Sequence, residues 1–415
     1  MACLASDCID FVKKFLELGQ DPNLLVEKTG DSPLHFAARR PNGDALKLLL
    51  MEGADPNLSN KDGLTPLHII GNSYNERINY AMKDFFEVND YLERTLQINA
   101  RDKLGNTPLH LAISCVRTHG NMYAMKLLLR RGADPNLANA EGSTALHLIC
   151  KRRDYYDIVS NKYCEDDIVE RYFKIIDDQN QTLQIDARDG LGRTPLQLAV
   201  ASLEPKAVDS LFDHGADLSN FVFPDENHFG EELKARECES WFKFRRASSA
   251  LAVVERLENR GYEFDRNDAL TIMKLFAKHE LFDKSVDLDK CWCDDLQEFV
   301  RNARRIMIKP NLSFYDLVQL RPKEAAKQFT CTDYYNIWYA KNFWKRPYRE
   351  AYLCANRDSH LCEKLSRRFF RKWALDSFME LIHYRLPILC CDMIIEQLAN
   401  EDLYNICLAA ADQIK

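Results

Sequence analysis

A four-residue phrase returns five times in the first half of the chain, and no other feature restricts its folding as severely. It reads Ser32-Pro33-Leu34-His35, Thr65-Pro66-Leu67-His68 and Thr107-Pro108-Leu109-His110, with weaker copies at Thr144-Ala145-Leu146-His147 and Thr194-Pro195-Leu196-Gln197. The first two histidines are 33 residues apart, the period of a stacked helical repeat rather than a closed domain. One such unit cannot bury its apolar side alone, so copies must stack and present an elongated surface. Stacks of this kind bind far more often than they catalyse.

The residues of the phrase are those of a helix start. Ser or Thr caps the helix, and Pro occupies the first helical position, where its missing N–H is not needed. Leu enters the core, and His can tie neighbouring turns together by hydrogen bonds. These histidines are structural on this reading, because they recur too regularly and lack the ligand spacing of zinc sites. A second helix follows, as in Ala45-Leu46-Lys47-Leu48-Leu49-Leu50 and Ala124-Met125-Lys126-Leu127-Leu128-Leu129. It stops at Gly53 or Gly132, suited to a left-handed terminal residue. Gly-Ala-Asp-Pro-Asn then turns the chain outward at 53–57 and 132–136.

These residues strongly resemble the ankyrin repeat, a helix, turn and helix followed by a projecting hairpin loop. The resemblance covers about residues 1–220 and implies an all-α ankyrin-repeat solenoid of about six repeats, followed by a C-terminal helical domain. The first repeat keeps only its second helix and turn, Cys8 to Asn23, either as a terminal cap or because upstream repeats are missing. Later intervals stretch to 42, 37 and 50 residues, with insertions between the two helices, as at Gly71–Glu87 and Lys151–Asp167. Such loops cost little, about 0.6 kcal/mol per doubling of length. They are either neutral or partner-specific decoration.

With 415 residues, the chain is too long for one core. Residues 220–303 lose the phrase but keep apolar residues three and four apart, over Ala247–Arg260 and Ala269–Phe282. Gly261-Tyr262-Glu263-Phe264-Asp265 echoes the repeat turn, so 221–300 is expected to be degenerate repeats or a helical cap or linker. Residues 301–415 form a third segment. Within it, Arg301–Arg385 carries 18 Lys or Arg against 8 Asp or Glu, in a chain whose net charge is −7. Cations and aromatics alternate at Tyr334–Tyr339, Lys345–Arg349 and Arg367–Trp373. Single-stranded nucleic acid would suit such a stretch, but an amphipathic helix with a solvated basic face is the simpler account.

No catalytic set is present: no phosphate-cradling glycine loop, nucleophile elbow or His-Glu-x-x-His. Cys291 and Cys293 with Cys331, or Cys354 with His360 and Cys362, do not match paired metal-ligand knuckles. Neither metal nor cofactor is expected, nor is an enzyme. The 14 scattered cysteines suit a reducing compartment, and no apolar run approaches the ~20 residues that cross a bilayer. No signal segment is read at the N-terminus. Cytosol or nucleus is the expected location, without a membrane partner.

The segment from Leu386 to Leu403 has a definite shape. Leu386-Pro387 opens it, Ile394, Ile395 and Leu398 recur at helical spacing, and Asp402-Leu403 begins a second helix. It resembles the start of an F-box, the helical module that docks on the Skp adaptor of cullin-RING ubiquitin ligases. Two positions depart, Leu389 for the usual Glu and Cys390 for the usual aliphatic, and the sequence reaches Lys415 before a full module. A bland amphipathic helix pair is the alternative. Ankyrin repeats, a basic helical region and a truncated terminal F-box together resemble the PRANC family of poxviruses and parasitoid insects. That resemblance implies that the repeats capture a host protein and that 386–415 recruits the Skp adaptor and cullin. Leu386, Pro387, Ile394, Ile395, Leu398, Asp402 and Leu403 would touch the adaptor. The rival reading is a plain scaffold or sequestering inhibitor, similar to the ankyrin inhibitors of NF-κB-type factors.

Target contacts are expected at the loop tips, Asn60, Lys61, Asp62, Arg101, Lys103, Asn139, Glu141, Arg188 and Asp189, and near Arg39 in the groove beside the first helices. This follows from the resemblance, in which hairpins project and first helices line the concave side.

Overall fold

The computed structural model describes residues 9–39, 43–73, 78–115, 119–151, 156–157, 162–163, 168–233, 242–282, 300–301, 303–339 and 357–413. Cys291, Cys293, Cys354, the stretch 340–349 and parts of the two longest insertions lie outside them. Apart from two short antiparallel pairs, β1 (Tyr156–Asp157) with β2 (Lys162–Tyr163) and β3 (Met307–Lys309) with β4 (Leu312–Ser313), the elements are helices. The fold is all-α.

The phrase folds as its chemistry directs. Ser32, Thr65, Thr107 and Thr144 hold extended backbone (φ −84 to −89°) immediately before short helices. These are α2 (Pro33–Ala38), α4 (Pro66–Gly71), α6 (Pro108–Ser114) and α8 (Ala145–Cys150). Each His sits three residues past its cap, and Nδ1 accepts the cap's backbone N–H, at 3.1 Å for His35 and 3.2 Å for His110. The imidazole thus does what Glu does in a capping box.

Second helices follow each first helix: α3 (Gly43–Met51), α5 (Ile78–Tyr91), α7 (His119–Arg130) and α9 (Ile168–Asp178), with α1 (Ile9–Glu17) preceding them. First helices pack on first helices and second on second, giving two layers with Leu34, Leu67, Leu109 and Leu146 between them. α1 packs on α3, the place of a second helix, which is how its sequence reads. A fifth pair, α10 (Pro195–Ala201) and α11 (Pro205–Asp213), closes the pattern. The turns share one geometry, with Gly53, Gly132 and Gly215 at φ +91 to +93°, and Gly261 repeats it at +91°.

Three polar ties recur between successive repeats. Nε2 of His35, His68, His110 and His147 donates to the carbonyls of Leu64, Asn106, Ser143 and Arg193, at 2.9 to 3.1 Å. The turn Asn bonds the next repeat with both amide atoms: Asn57 Nδ2 donates to Thr95 O (2.9 Å) and its Oδ1 accepts from Gln97 N (2.8 Å). Finally each hairpin tip donates to the one before it, Lys61 N to Thr29 O and Lys103 N to Asp62 O, both at 2.9 Å. Burial holds all four histidines below the usual imidazole pKa, outweighing the carbonyls that Nε2 meets. They are neutral ties, as the regular spacing suggests.

The chain divides into two units: Met1–Leu198 with Ser210–Asp217, and Ala199–Asp209 with Leu218–Lys415. The described parts of 221–300 thus share a unit with the C-terminal helices. Its elements are α12 (Glu226–Leu233), α13 (Phe242–Asn259), α14 (Arg266–Lys278), α15 (Phe314–Gln319), α16 (Pro322–Gln328), α17 (Cys331–Tyr339), α18 (Arg357–Leu381), α19 (Ile388–Glu396) and α20 (Asn400–Asp412). The reason for the merger is packing. α13 lies against α17 and α18, while α14 lies against α12, α18 and α20. Phe276, Phe282 and Phe370 meet edge-on or tilted between these helices, with centroids 5.4 to 6.4 Å apart, the separations at which aromatic pairs attract.

Candidate protein-binding surfaces

The hairpin tips form the first candidate surface. Each begins with Asn or Asp whose Oδ1 gathers two backbone N–H groups of its own turn. Asn60 takes those of Asp62 and Leu64 (2.9 and 3.0 Å), Asn139 those of Glu141 and Ser143, and Asp189 those of Leu191 and Arg193. Asn60 Nδ2 then reaches back to Asp31 (2.7 Å), and Asn139 Nδ2 to Asn106 (3.0 Å). Asn60 and Asp189 are only 7% exposed. They, and the half-buried Asn139, therefore close the hairpins and are not offered to a partner, which corrects the sequence expectation. Burial raises the Asp189 pKa, but bonds from the Arg193 side chain and backbone outweigh it and hold the carboxyl below its usual value.

The side chains that do project are Lys61, Asp62, Arg101, Lys103, Glu141 and Arg188. Of these, Arg101 Nη1 also bonds Ala138 O (2.6 Å) and Arg188 Nη1 bonds Gly192 O (2.8 Å). Leu104 and Leu191 project from the tips as well, 67% and 74% exposed. Their sequence signal, an apolar residue between a turn Asp and a turn Gly, is easily passed over.

Arg39 stands at the C-terminal end of α2, largely exposed, with its guanidinium on Asp31 at 2.7 Å. It begins a row, since Asn72, Ser114 and Lys151 lie four residues after His68, His110 and His147 as Arg39 lies four after His35, and all are exposed. Counting from each His would have found them.

α19 carries the second candidate surface. Pro387 starts the helix in extended backbone, and Cys391 and Ile395 are fully buried beneath it. The other apolar residues face out: Leu386 41%, Ile388 52%, Leu389 74%, Met393 69% and Ile394 40% exposed. Single exposed apolar residues are ordinary, but five within nine positions form a patch, and patches mark contact sites. Leu386, Pro387 and Ile394 belong to it. Ile395 and Leu403, both fully buried, belong instead to the core, because they point toward the body of the unit. Leu398 is half-buried, and exposed Asp402 takes the Ala399 N–H (3.0 Å) as the cap of α20.

Of the cations of α18 expected on a solvated face, Arg368 and Lys372 are exposed, while Arg367 and Arg371 turn to other helices. Arg371 forks onto Asp392 of α19 (2.9 and 2.6 Å). Lys364 is 1% exposed and its ammonium donates to the carbonyls of Leu317 and Val318 at the end of α15. Among the described residues no cluster of His, Cys, Asp or Glu could hold a metal ion, and no helix is long and apolar enough to cross a membrane.

Comparison with known proteins bears on the first surface. A family model for ankyrin repeats in three copies matches residues 1–76, 35–139, 76–161 and 114–221. An ankyrin repeat protein of fowlpox virus (strain NVSL) is 31% identical over 170 residues, covering 34% of this chain and 86% of that protein. The human transient receptor potential cation channel subfamily A member 1 is 30% identical over 193 residues, 46% of this chain and 15% of the channel. Human SH3 and multiple ankyrin repeat domains protein 2 is 28% identical over 174 residues, 34% of this chain and 9% of that protein. The chain thus spans a small part of either human relative and most of the viral one.

Proposed function

We propose, from the premise that this chain belongs to the ankyrin-repeat family, that it is a substrate receptor joining two proteins. Ankyrin repeats serve protein–protein interaction, and the tips Lys61, Lys103, Leu104, Glu141 and Leu191, with the row from Arg39 to Lys151, form the surface that takes the target. Several repeats acting together can supply the ~1,600 Å² of a standard interface. The C-terminal unit is read as PRANC-like, with α19 and α20 as its F-box-like part docking on the Skp adaptor of a cullin-RING ligase, in the cytoplasm or nucleus. No catalytic role is assigned to the chain itself.

The outward apolar strip of α19 carries this reading. A helix that only capped the unit would turn its larger apolar residues inward, yet Leu389 and Met393 point to solvent. Leu389, a departure from the F-box pattern, is the most exposed of them, so the departure adds apolar contact area rather than removing it. Mixing the purified chain with Skp adaptor and cullin tests the proposal by co-elution. A complex lost on Leu386→Ala with Pro387→Ala supports it. No complex, or one indifferent to those changes, returns the chain to the rival reading, a sequestering scaffold whose activity survives deletion of residues 386–415.

A further inference from the structure

α19 is apolar nearly all round. Cys391 and Ile395 face inward, while Ile388, Leu389, Met393 and Ile394 face out, and the outward set is the larger. Burial alone would favour rolling the helix to hide it, because buried area sets the hydrophobic gain and has no direction. Some directional interaction must hold the observed rotation.

The buried polar groups beneath it have that character. Arg367, on α18 and 8% exposed, sends Nη2 to the carbonyls of Ile395 and Glu396 (both 2.9 Å). Its Nη1 goes to Leu398 O and to Asn400 Oδ1, the latter at 3.1 Å. One guanidinium thus donates to three carbonyls at and just past the end of α19, where helical carbonyls lack a full set of intrahelical partners, and grips the first residue of α20. Asn400, fully buried, is fixed in turn. Its N–H donates to Glu363 Oε1 (2.8 Å), and its Nδ2 to Glu363 O (3.0 Å) and Ser366 Oγ (2.9 Å). On the flank, Asp392 is forked by Arg371 and Glu396 is paired with Lys323. Buried ionic groups of this kind add little net stability over apolar packing, and their best-attested use is to fix one register.

We propose that Arg367 is the positioning residue of the docking surface: by clamping the C-terminus of α19 and the N-terminus of α20 to α18, it sets the rotation that keeps the apolar strip outward. The docking unit is then residues 357–412, with α18 as its base, rather than the segment from Leu386 onward. This rests on the adaptor reading above, and its test separates the two.

Hydrogen exchange and binding to a purified Skp adaptor are measured on the full chain. Glu363→Gln with Arg367→Met removes the guanidinium without leaving the nearby buried Glu363 carboxylate charged. Expected is at least about tenfold faster exchange in α19, extending no further than the first turn of α20, with about tenfold weaker adaptor binding. Arg367→Lys, which keeps the charge but cannot span three carbonyls, fails to restore either. Asp392→Asn, a partly exposed change that removes only the flank contact with Arg371, moves both by no more than a few-fold; should the double variant not fold, the single variant Arg367→Lys decides the matter by the same two measurements. Unchanged α19 exchange in these variants, or faster exchange spread equally over α18 and α20, overturns the proposal. Failure of the wild-type chain to bind the adaptor removes the adaptor reading instead, while the exchange pattern still decides the role of Arg367.

Discussion

The repeat stack and the C-terminal unit both bury polar side chains, but they do so under different rules. In the stack each tie recurs at equivalent places in successive repeats: imidazole to the next repeat's carbonyl at four histidines, turn Asn to the next turn, tip N–H to the preceding tip. In the C-terminal unit Glu363, Arg367 and Asn400 make one network and Lys364 separately bonds the end of α15, and neither arrangement recurs among the described residues. Periodic burial propagates a fold along the chain. Aperiodic burial fixes one arrangement and leaves a chosen face uncovered.

The largest expected effect breaks the periodic side of this contrast. Gly142 has φ +73°, and a Cβ there would stand 2.5 Å from Gly190 N in the next hairpin. Gly142→Ala should destabilise the stack by about 3 kcal/mol, from left-handed strain plus the clash, read as a lowered urea midpoint. All five tryptophans lie beyond residue 240, so their fluorescence should report the C-terminal unit while far-UV circular dichroism follows both.

Next comes the distinction between hairpin residues that fold and those that project. Asn60→Ala should cost about 1–3 kcal/mol, because it leaves two part-buried turn N–H groups and the buried Asp31 short of a partner. Lys61→Ala, one residue on and exposed, should stay within about 0.5 kcal/mol in the same denaturation experiment. Equal costs would mean that the hairpins do not divide in this way.

Acid offers a graded version. The four stack histidines have folded pKa values below the unfolded 6.5. The unfolded chain therefore binds protons first, and stability, complete above pH 6.5, falls as pH drops below that value. Thermal melts from pH 7.5 to 5 should show the loss. His147→Gln should remove part of it at little cost at pH 7.5, since Gln197 Oε1 already accepts the Thr194 N–H at 2.9 Å. An unchanged pH slope would contradict the assignment of neutral ties.

The same contrast explains what could be read before the fold was known. Phrase, turns and helix pairs were legible because repetition averages over noise. Asn60 and Asp189 were misplaced among the projecting residues because residue type alone marks them as polar surface. Only aligning the hairpins on their glycines shows that Asn60, Asp102, Asn139 and Asp189 hold one closing position. In α19 the helical spacing was plain, but Ile394 and Ile395 are neighbours and only one can face inward. The pattern 391/395 and the pattern 389/393 fit a helix equally well. Arg367 resembled a solvated cation, since its partners are backbone carbonyls about thirty residues later, which carry no sequence signal at all.

The smallest expected change in stability accompanies the most decisive change in binding. Leu389→Asp, at a largely exposed position, should leave thermal unfolding within about 0.5 kcal/mol of wild type. Calorimetric titration of the full chain with purified Skp adaptor, in wild-type and Leu389→Asp forms, shows whether the strip is a contact surface. The wild type should bind and the variant lose at least about a hundredfold, as docking through α19 requires when a charge enters the centre of an apolar contact. A wild-type chain that does not bind, or a folded variant that binds equally well, would contradict that docking.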